Sequence, residues 1–165
     1  MELNADTLER FYLLAMQSGY AARAEYRRLE HEPHKKGWHF ADPEEFPGLV
    51  LMDEYFVHPE TKQSFGTTVI YANNVPAWQM SYAGHYVKEA IPFLKEALMA
   101  AYSSGEFRGG RGPSSYDDQD SGLAYVNAVS GMDTLFHEFF GYEEIRDSGA
   151  KRVGVHVYSG MCLIG

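Results

Sequence analysis

Ser64 to Gly84 reads SFGTTVIYANNVPAWQMSYAG, and the fold turns on how this stretch is understood. Ser64 to Ala72 and residues 75 to 83 read as strands. Asn73-Asn74 between them reads as a tight turn, because Asn tolerates positive φ. The stretch is echoed by Phe139 to Gly160, FFGYEEIRDSGAKRVGVHVYSG. Phe65-Gly66 maps onto Phe140-Gly141 and Ile70 onto Ile145, each 75 positions on. Tyr82 and Gly84 map onto Tyr158 and Gly160, 76 positions on, with the extra residue placed in the turn Asp147-Ser148-Gly149. Upstream, LVLMDEY (Leu49 to Tyr55) echoes LAYVNAV (Leu123 to Val129), 74 positions on.

Working outward, each copy reads as three strands: 49–57, 64–72 and 75–83, then 122–129, 138–146 and 151–159. Gly66 inside a strand implies a bulge or a close approach of backbone, and its recurrence at Gly141 implies that both copies bend in the same place. Asp6-x-x-Glu9 resembles a capping box, and the spacing of Leu8, Phe11, Tyr12 and Ala15 predicts a helix over 5–18. Ile91, Leu94, Leu98 and Tyr102 predict a second over 88–104, with Pro92 in its first turn and Gly105 as its stop. Residues 20–30 have the propensity for a further short helix. Residues 31–48, with three prolines, and 105–122, rich in Gly and charge, read as loops, and 132–138 as a helical turn. The expected architecture is a single α+β domain over residues 1–165. Repeats at about 49–84 and 123–160 would form duplicated antiparallel three-stranded meanders, α-βββ-α-βββ, with the helices packed on one sheet face.

A chain of 165 residues can bury a sizeable core without staples. Aromatic residues make up 15% of it, which suits strands and an aromatic-lined interior. The formal net charge of −9 argues against direct nucleic-acid or anionic-membrane binding, both of which need a basic footprint. One cysteine, Cys162, permits no intrachain disulfide, and the polar amino terminus lacks the form of a signal peptide. A cytoplasmic location is the expectation.

With both copies laid out, the chain resembles a bacterial family of uncharacterised domains, found alone or behind helix-turn-helix regulators. That family carries the pattern Y-x-D-x-Y, F-x-G-x-E-x-V and P-x-W-x-M-x-Y-x-G, followed by a helix and a looser second copy. The matches here are Asp53 and Tyr55, Phe65-Gly66, then Pro76, Trp78, Met80, Tyr82 and Gly84. In the second copy they are Tyr125, Asn127, Gly131, Phe140-Gly141, Glu143, Ile145, Tyr158 and Gly160. Thr68 departs from the family's Glu, Met52-Asp53 lacks the preceding Tyr, and Gly154 and His156 stand where an aromatic and an aliphatic residue are usual. The resemblance implies a fold and a compartment but no chemistry.

The candidate ligand-binding residues are Trp78, Met80, Tyr82, His156, Tyr158, Asp53 and Tyr55. Trp78, Met80 and Tyr82 share one strand face, and Gly154, His156 and Tyr158 share the corresponding face of the other copy. Gly154 lacks the volume of the indole it replaces. Either another side chain fills that space, Phe107 being the candidate, or a pocket opens there with His156 at its wall and binding follows its titration near pH 6.5. A Gly154 packed tightly against its neighbours, or His156 on solvent, would end the hypothesis of this pocket and leave the protein-partner reading ahead. Asp53 would bind an amine, act as a base, or accept bonds from tyrosine hydroxyls or a loop backbone. Asn127, in the matching place, cannot titrate, which favours the last. Arg108 to Pro113 reads as a charged, flexible connector neutralised by Asp117, Asp118 and Asp120, ahead of an anion-wrapping loop. His31, His34 and His39 lack a rigid scaffold for a metal. No cofactor fingerprint, G-x-S-x-G, P-loop or Cys-Cys pair appears. The leading expectation is a non-catalytic small-molecule-binding or sensory module, without metal or cofactor. A protein-binding module, acidic and antitoxin- or immunity-like, is the alternative, and an enzyme with Asp53 or His156 as base comes third.

Overall fold

The computed structural model describes residues 2–29, 32–132 and 134–164. Its strands are β1 (Arg27–Leu29), β2 (Glu32–Phe40), β3 (Leu49–Val57), β4 (Ser64–Ala72), β5 (Val75–Tyr86), β6 (Ser115–Asp118), β7 (Leu123–Met132), β8 (Glu138–Arg146) and β9 (Arg152–Cys162). They form one sheet in the order β1-β2-β3-β4-β5-β9-β8-β7-β6, every neighbour antiparallel. Two short helices complete the fold, α1 (Ala5–Met16) and α2 (Ile91–Ser104), the second entered through a 3₁₀ turn at Lys88–Ala90.

This corrects the expected α+β architecture of duplicated three-stranded meanders. β5 and β9 pair with each other from Trp78↔Cys162 to Tyr86↔Gly154, so the backbone ladder continues from one triplet into the other. The protein is therefore β-rich, a single nine-stranded sheet with little helix. Three segments expected outside the sheet also join it. Residues 20–30 end in β1 rather than a helix, 31–48 contain β2, and 105–122 contain β6. Helix propensity near Tyr20 to Leu29 is a weak local preference, and strand pairing overrides it. Pro33 is tolerated because it falls where the β1–β2 register shifts and before pairing with β3 begins at Lys35. β3, β4 and β8 occupy their expected ranges, whereas β5 and β9 run on to Tyr86 and Cys162. Part of the expected turn over 132–138 lies outside the described residues. The remainder holds a His137 N–H bond to the Thr134 carbonyl.

Local chemistry accounts for the element ends. Asn4, rather than Asp6, caps α1, its Oδ1 accepting from Thr7 N at 2.9 Å. Gly105, at φ 74°, terminates α2 in the left-handed region. Asn73 and Asn74, at φ 50° and 67°, make the β4–β5 hairpin turn. The core lies where both helices meet one face of the sheet. Trp78 is fully buried, stacked on Phe136 and Phe139 at centroid distances of 5.3 and 5.9 Å and packed against Tyr12 at 4.9 Å. Leu94 and Leu98 of α2 are buried with it. On the opposite face, Phe65, Ala83, Val157 and Tyr142 are exposed neighbours on β4, β5, β9 and β8. No helix among the described residues is long and apolar enough to cross a membrane.

Candidate functional site

Two carboxylates are buried in the sheet, one on each side of the β5–β9 seam. Asp53 on β3 is paired in register with Thr68 on β4, and Asn127 on β7 with Glu143 on β8. The acid thus sits on the first strand of one pair and on the second strand of the other. Gly66 and Gly141 help to build both places. A Cβ at either would lie 2.6 Å from the hydroxyl oxygen of Tyr82 or Tyr158, so each bare glycine lets a tyrosine ring cross the neighbouring strand. The register is unbroken at both, so no bulge forms, and such a Cβ would also lie 2.5 Å from the backbone carbonyl oxygen of Glu54 or Ala128 on the neighbouring strand. Tyr82 then donates to Asp53 Oδ1 at 3.0 Å, and Tyr158 donates to Asn127 Oδ1.

Glu143 is fully buried and neutralised. Arg111 Nε donates to Oε1 at 2.8 Å, and Arg111 Nη2 bonds the same oxygen. The hydroxyls of Tyr86 and Tyr125 donate to Oε1 and Oε2 at 2.6 and 2.5 Å. Burial alone would raise the Glu143 pKa, but the Arg111 guanidinium and these bonds hold it below the ordinary carboxylate value. The segment carrying Arg111 is stitched to the sheet. Asn127 Nδ2 donates to the Arg108 and Gly112 carbonyls at 3.1 and 2.7 Å, and Gly112 N donates to Tyr125 Oη at 2.9 Å. Gly109 and Gly110, at φ 64° and 70°, are buried against Tyr158 and Tyr12. The expectation of a flexible connector neutralised by nearby aspartates is therefore wrong. Arg111 is an interior cation, and Arg108 pairs with Glu106.

Among the described residues Asp53 has no such partner. Its Oδ1 accepts from Thr68 Oγ1 at 2.8 Å and from Tyr82, and its Oδ2 accepts from Tyr26 at 2.5 Å. Burial raises its pKa, opposed by the three hydroxyl donors and, at longer range, by Arg111.

Asp53 opens onto a cavity of about 320 Å³. Met16 and Tyr20 at the end of α1 and Ile91, Leu94, Leu98 and Tyr102 of α2 line one side. Tyr55, Met80, Tyr82 and Tyr86 of the sheet line the other, with Arg111 and His156 at the end nearer Glu143 and the exposed Lys62 and Lys88 also on the wall. The wall is thus mostly apolar and aromatic around a few polar groups, the usual form of a small-ligand site.

Of the sequence-predicted residues, Asp53, Tyr55, Met80, Tyr82 and His156 line this cavity together. Trp78 and Tyr158 do not. Trp78 belongs to the core, its Nε1 donating to the Phe136 carbonyl at 3.2 Å, and Tyr158 is buried against Asn127 and Gly109. The argument from a missing aromatic at Gly154 also fails. Tyr86 packs directly over Gly154, and a Cβ there would collide with its ring. Neither a gap nor Phe107 occupies that place, since Phe107 packs against Trp78 and Phe136. The cavity lies over β3–β5 instead.

His156 corrects a second expectation. Its Nε2 lies 3.3 Å from Ser64 Oγ, and its Nδ1 lies 3.5 Å from Arg111 Nη2 and 3.7 Å from Glu143 Oε1. Ser64, His156 and Glu143 are therefore strung together as nucleophile, base and orienter are in hydrolases. The protonation is wrong for that use. Arg111 can only donate, so Nδ1 accepts and Nε2 carries the proton toward Ser64. Burial, then the Arg111 charge, push the His156 pKa down to about 3. The ring is neutral near pH 6.5 and a poor base, so titration near that pH does not occur here.

Among the described residues no three His, Cys, Asp or Glu side chains are grouped to hold a metal. His34 and His39 are exposed and, an odd number of residues apart on β2, face opposite ways. His31 lies outside the described residues. Sequence reasoning missed Tyr26 and Tyr86 altogether, placed Arg111 only in a flexible or anion-wrapping loop, and treated Thr68 only as a departure. The signal for the last was available: Asp/Thr at 53 and 68 against Asn/Glu at 127 and 143 is an exchange of one acid between facing positions.

A family model described as Domain of unknown function (DUF5680) matches residues 53–162. No curated protein and no solved structure matches the chain.

Proposed function

Because the chain belongs to that family of unknown function, which brings no activity with it, we propose from the site alone that the protein is a non-catalytic small-molecule-binding module. A cavity of about 320 Å³ with the uncompensated carboxylate of Asp53 in its wall carries the reading. Pockets of this size and composition hold ligands of drug-fragment dimensions. The inert tautomer and low basicity of His156 favour binding over base catalysis. A sensory role would follow if occupancy altered α2, which forms one wall.

Ile91→Trp tests the reading, because Ile91 lines the cavity and is only half-buried. An indole growing into empty space should leave the melting temperature unchanged or higher. It should also abolish any small molecule that native mass spectrometry finds with the wild-type protein. A loss of ~1–3 kcal/mol, the mark of overpacking, would show that the space is not there to be filled.

A different surface favours the second reading, a protein-binding module. Phe65, Phe140 and Val157 are 54%, 64% and 57% exposed on the uncovered sheet face, and such an apolar patch marks interaction surfaces. Phe65→Ser with Phe140→Ser should then abolish any association seen by sedimentation without changing the melting temperature. Sedimentation as a monomer at every concentration, with no effect of the double variant, would count against self-association through this face.

A further inference from the structure

Resting on the cavity reading, we infer that the ligand is a small amine, bound as its ammonium with an N–H donating to the Asp53 carboxylate. The first support is the charge inventory of the buried groups. Among the described residues two buried carboxylates, Asp53 and Glu143, face one buried guanidinium, Arg111, and that guanidinium is spent on Glu143. His156 contributes no charge near neutral pH. Among the described residues no cation lies within ion-pair distance of Asp53. One buried negative charge is therefore balanced only by hydroxyl dipoles, and an uncompensated buried charge is a costly arrangement.

The second support is the geometry of the oxygens. Oδ1 accepts two hydrogen bonds, from Thr68 and Tyr82, whereas Oδ2 accepts one, from Tyr26. A carboxylate oxygen has room for a second donor. The third is the rest of the wall. Tyr55, Tyr86 and Tyr102 present aromatic surface to the same space, and aromatic rings favour a cation that has left water. Lys62 and Lys88 oppose an incoming cation, but both are exposed and screened by solvent and salt. A carboxylate ligand would meet the opposite difficulty, adding a negative charge beside Asp53 with the buried Arg111 already paired.

Calorimetric titration with three probes of one shape decides the matter: 2-phenylethylamine, 2-phenylethanol and phenylacetate. The amine should bind tightest, about ten- to one-hundredfold better than the alcohol, the worth of one charge-assisted hydrogen bond. Asp53→Asn should weaken the amine about ten- to one-hundredfold, and weaken it far more than it weakens the alcohol. If the alcohol or phenylacetate binds wild type as well as the amine does, the amine inference falls and the cavity reading stands. If none of the three binds, both fall. The comparison on wild type settles the outcome even if the variant does not fold.

Discussion

Asp53 and Glu143 are both buried carboxylates on the same face of the sheet, yet they sit in opposite circumstances. Glu143 lies under the glycine-rich segment 109–112, which brings Arg111 onto it and fills the space above β7–β9. Asp53 lies under the end of α1 and the middle of α2, which bring apolar side chains and leave a cavity. The difference comes from what can approach closely. Glycines at positive φ let backbone lie against Tyr158 and Tyr12, whereas a helix, about 10 Å across with its side chains, stands off the sheet. The same sheet therefore carries a sealed ion pair on one side and an accessible charge on the other.

The comparison breaks most sharply at the sealed pair. Glu143→Gln leaves Arg111 charged, buried and unpaired, and should destabilise the protein by about 3–5 kcal/mol in urea unfolding. A loss below about 1 kcal/mol would mean that the pair does not hold the 109–112 segment in place. Gly154→Phe comes next. It must displace Tyr86, a Glu143 partner, so a loss of ~1–3 kcal/mol is expected, reduced when Tyr86→Ala makes room. Additive effects of the two changes would show that Tyr86 is not what fills the space.

His156 supplies a pH test. Its folded pKa of about 3 lies below the ordinary 6.5, so the neutral ring contributes stability above pH 6.5 that is lost as pH falls toward 3. The slope should not exceed about 1.4 kcal/mol per pH unit, and His156→Gln should remove that part of it. An unchanged slope between pH 6.5 and 4.5 would show that the imidazole is accessible to protons in the folded state. Asp53→Asn should have the smallest effect on stability, within about 1 kcal/mol, because the Tyr26 hydroxyl can turn to accept from the new amide. Its pH signature is opposite to that of Glu143. A raised folded pKa makes wild-type stability gain as pH falls through it, and the variant should lack that gain. A loss as large as that of Glu143→Gln would erase the distinction between the two sites.

Local pattern was legible wherever pairing and pattern agreed. The boundaries of β3, β4 and β8, the Asn73-Asn74 turn and the apolar stripe of α2 follow from alternation, turn chemistry and helical spacing. Tyr20 to Phe40 was illegible for the converse reason. Its helix propensity and Pro33 point away from strands, and pairing with β1 and β3 makes β2 a strand. Of the site, Asp53, Tyr55, Met80, Tyr82 and His156 could be named because they share a strand face or a repeated position. Arg111 could not, since nothing in RGGRGP says that its guanidinium turns inward.

Sequence alone determined which side chains stand on one face of each strand, that Asn73-Asn74 turns the chain between β4 and β5, and where α2 stops. These are properties of dihedral preference and of period, which act over a few residues. Tertiary structure decided that β5 and β9 join the strands into one sheet, that Tyr86 covers Gly154, and that Arg111 goes to Glu143 and leaves Asp53 beside open space. Those outcomes depend on close packing between segments far apart in the chain, where the volume and charge left over at one place are set by what fills the next.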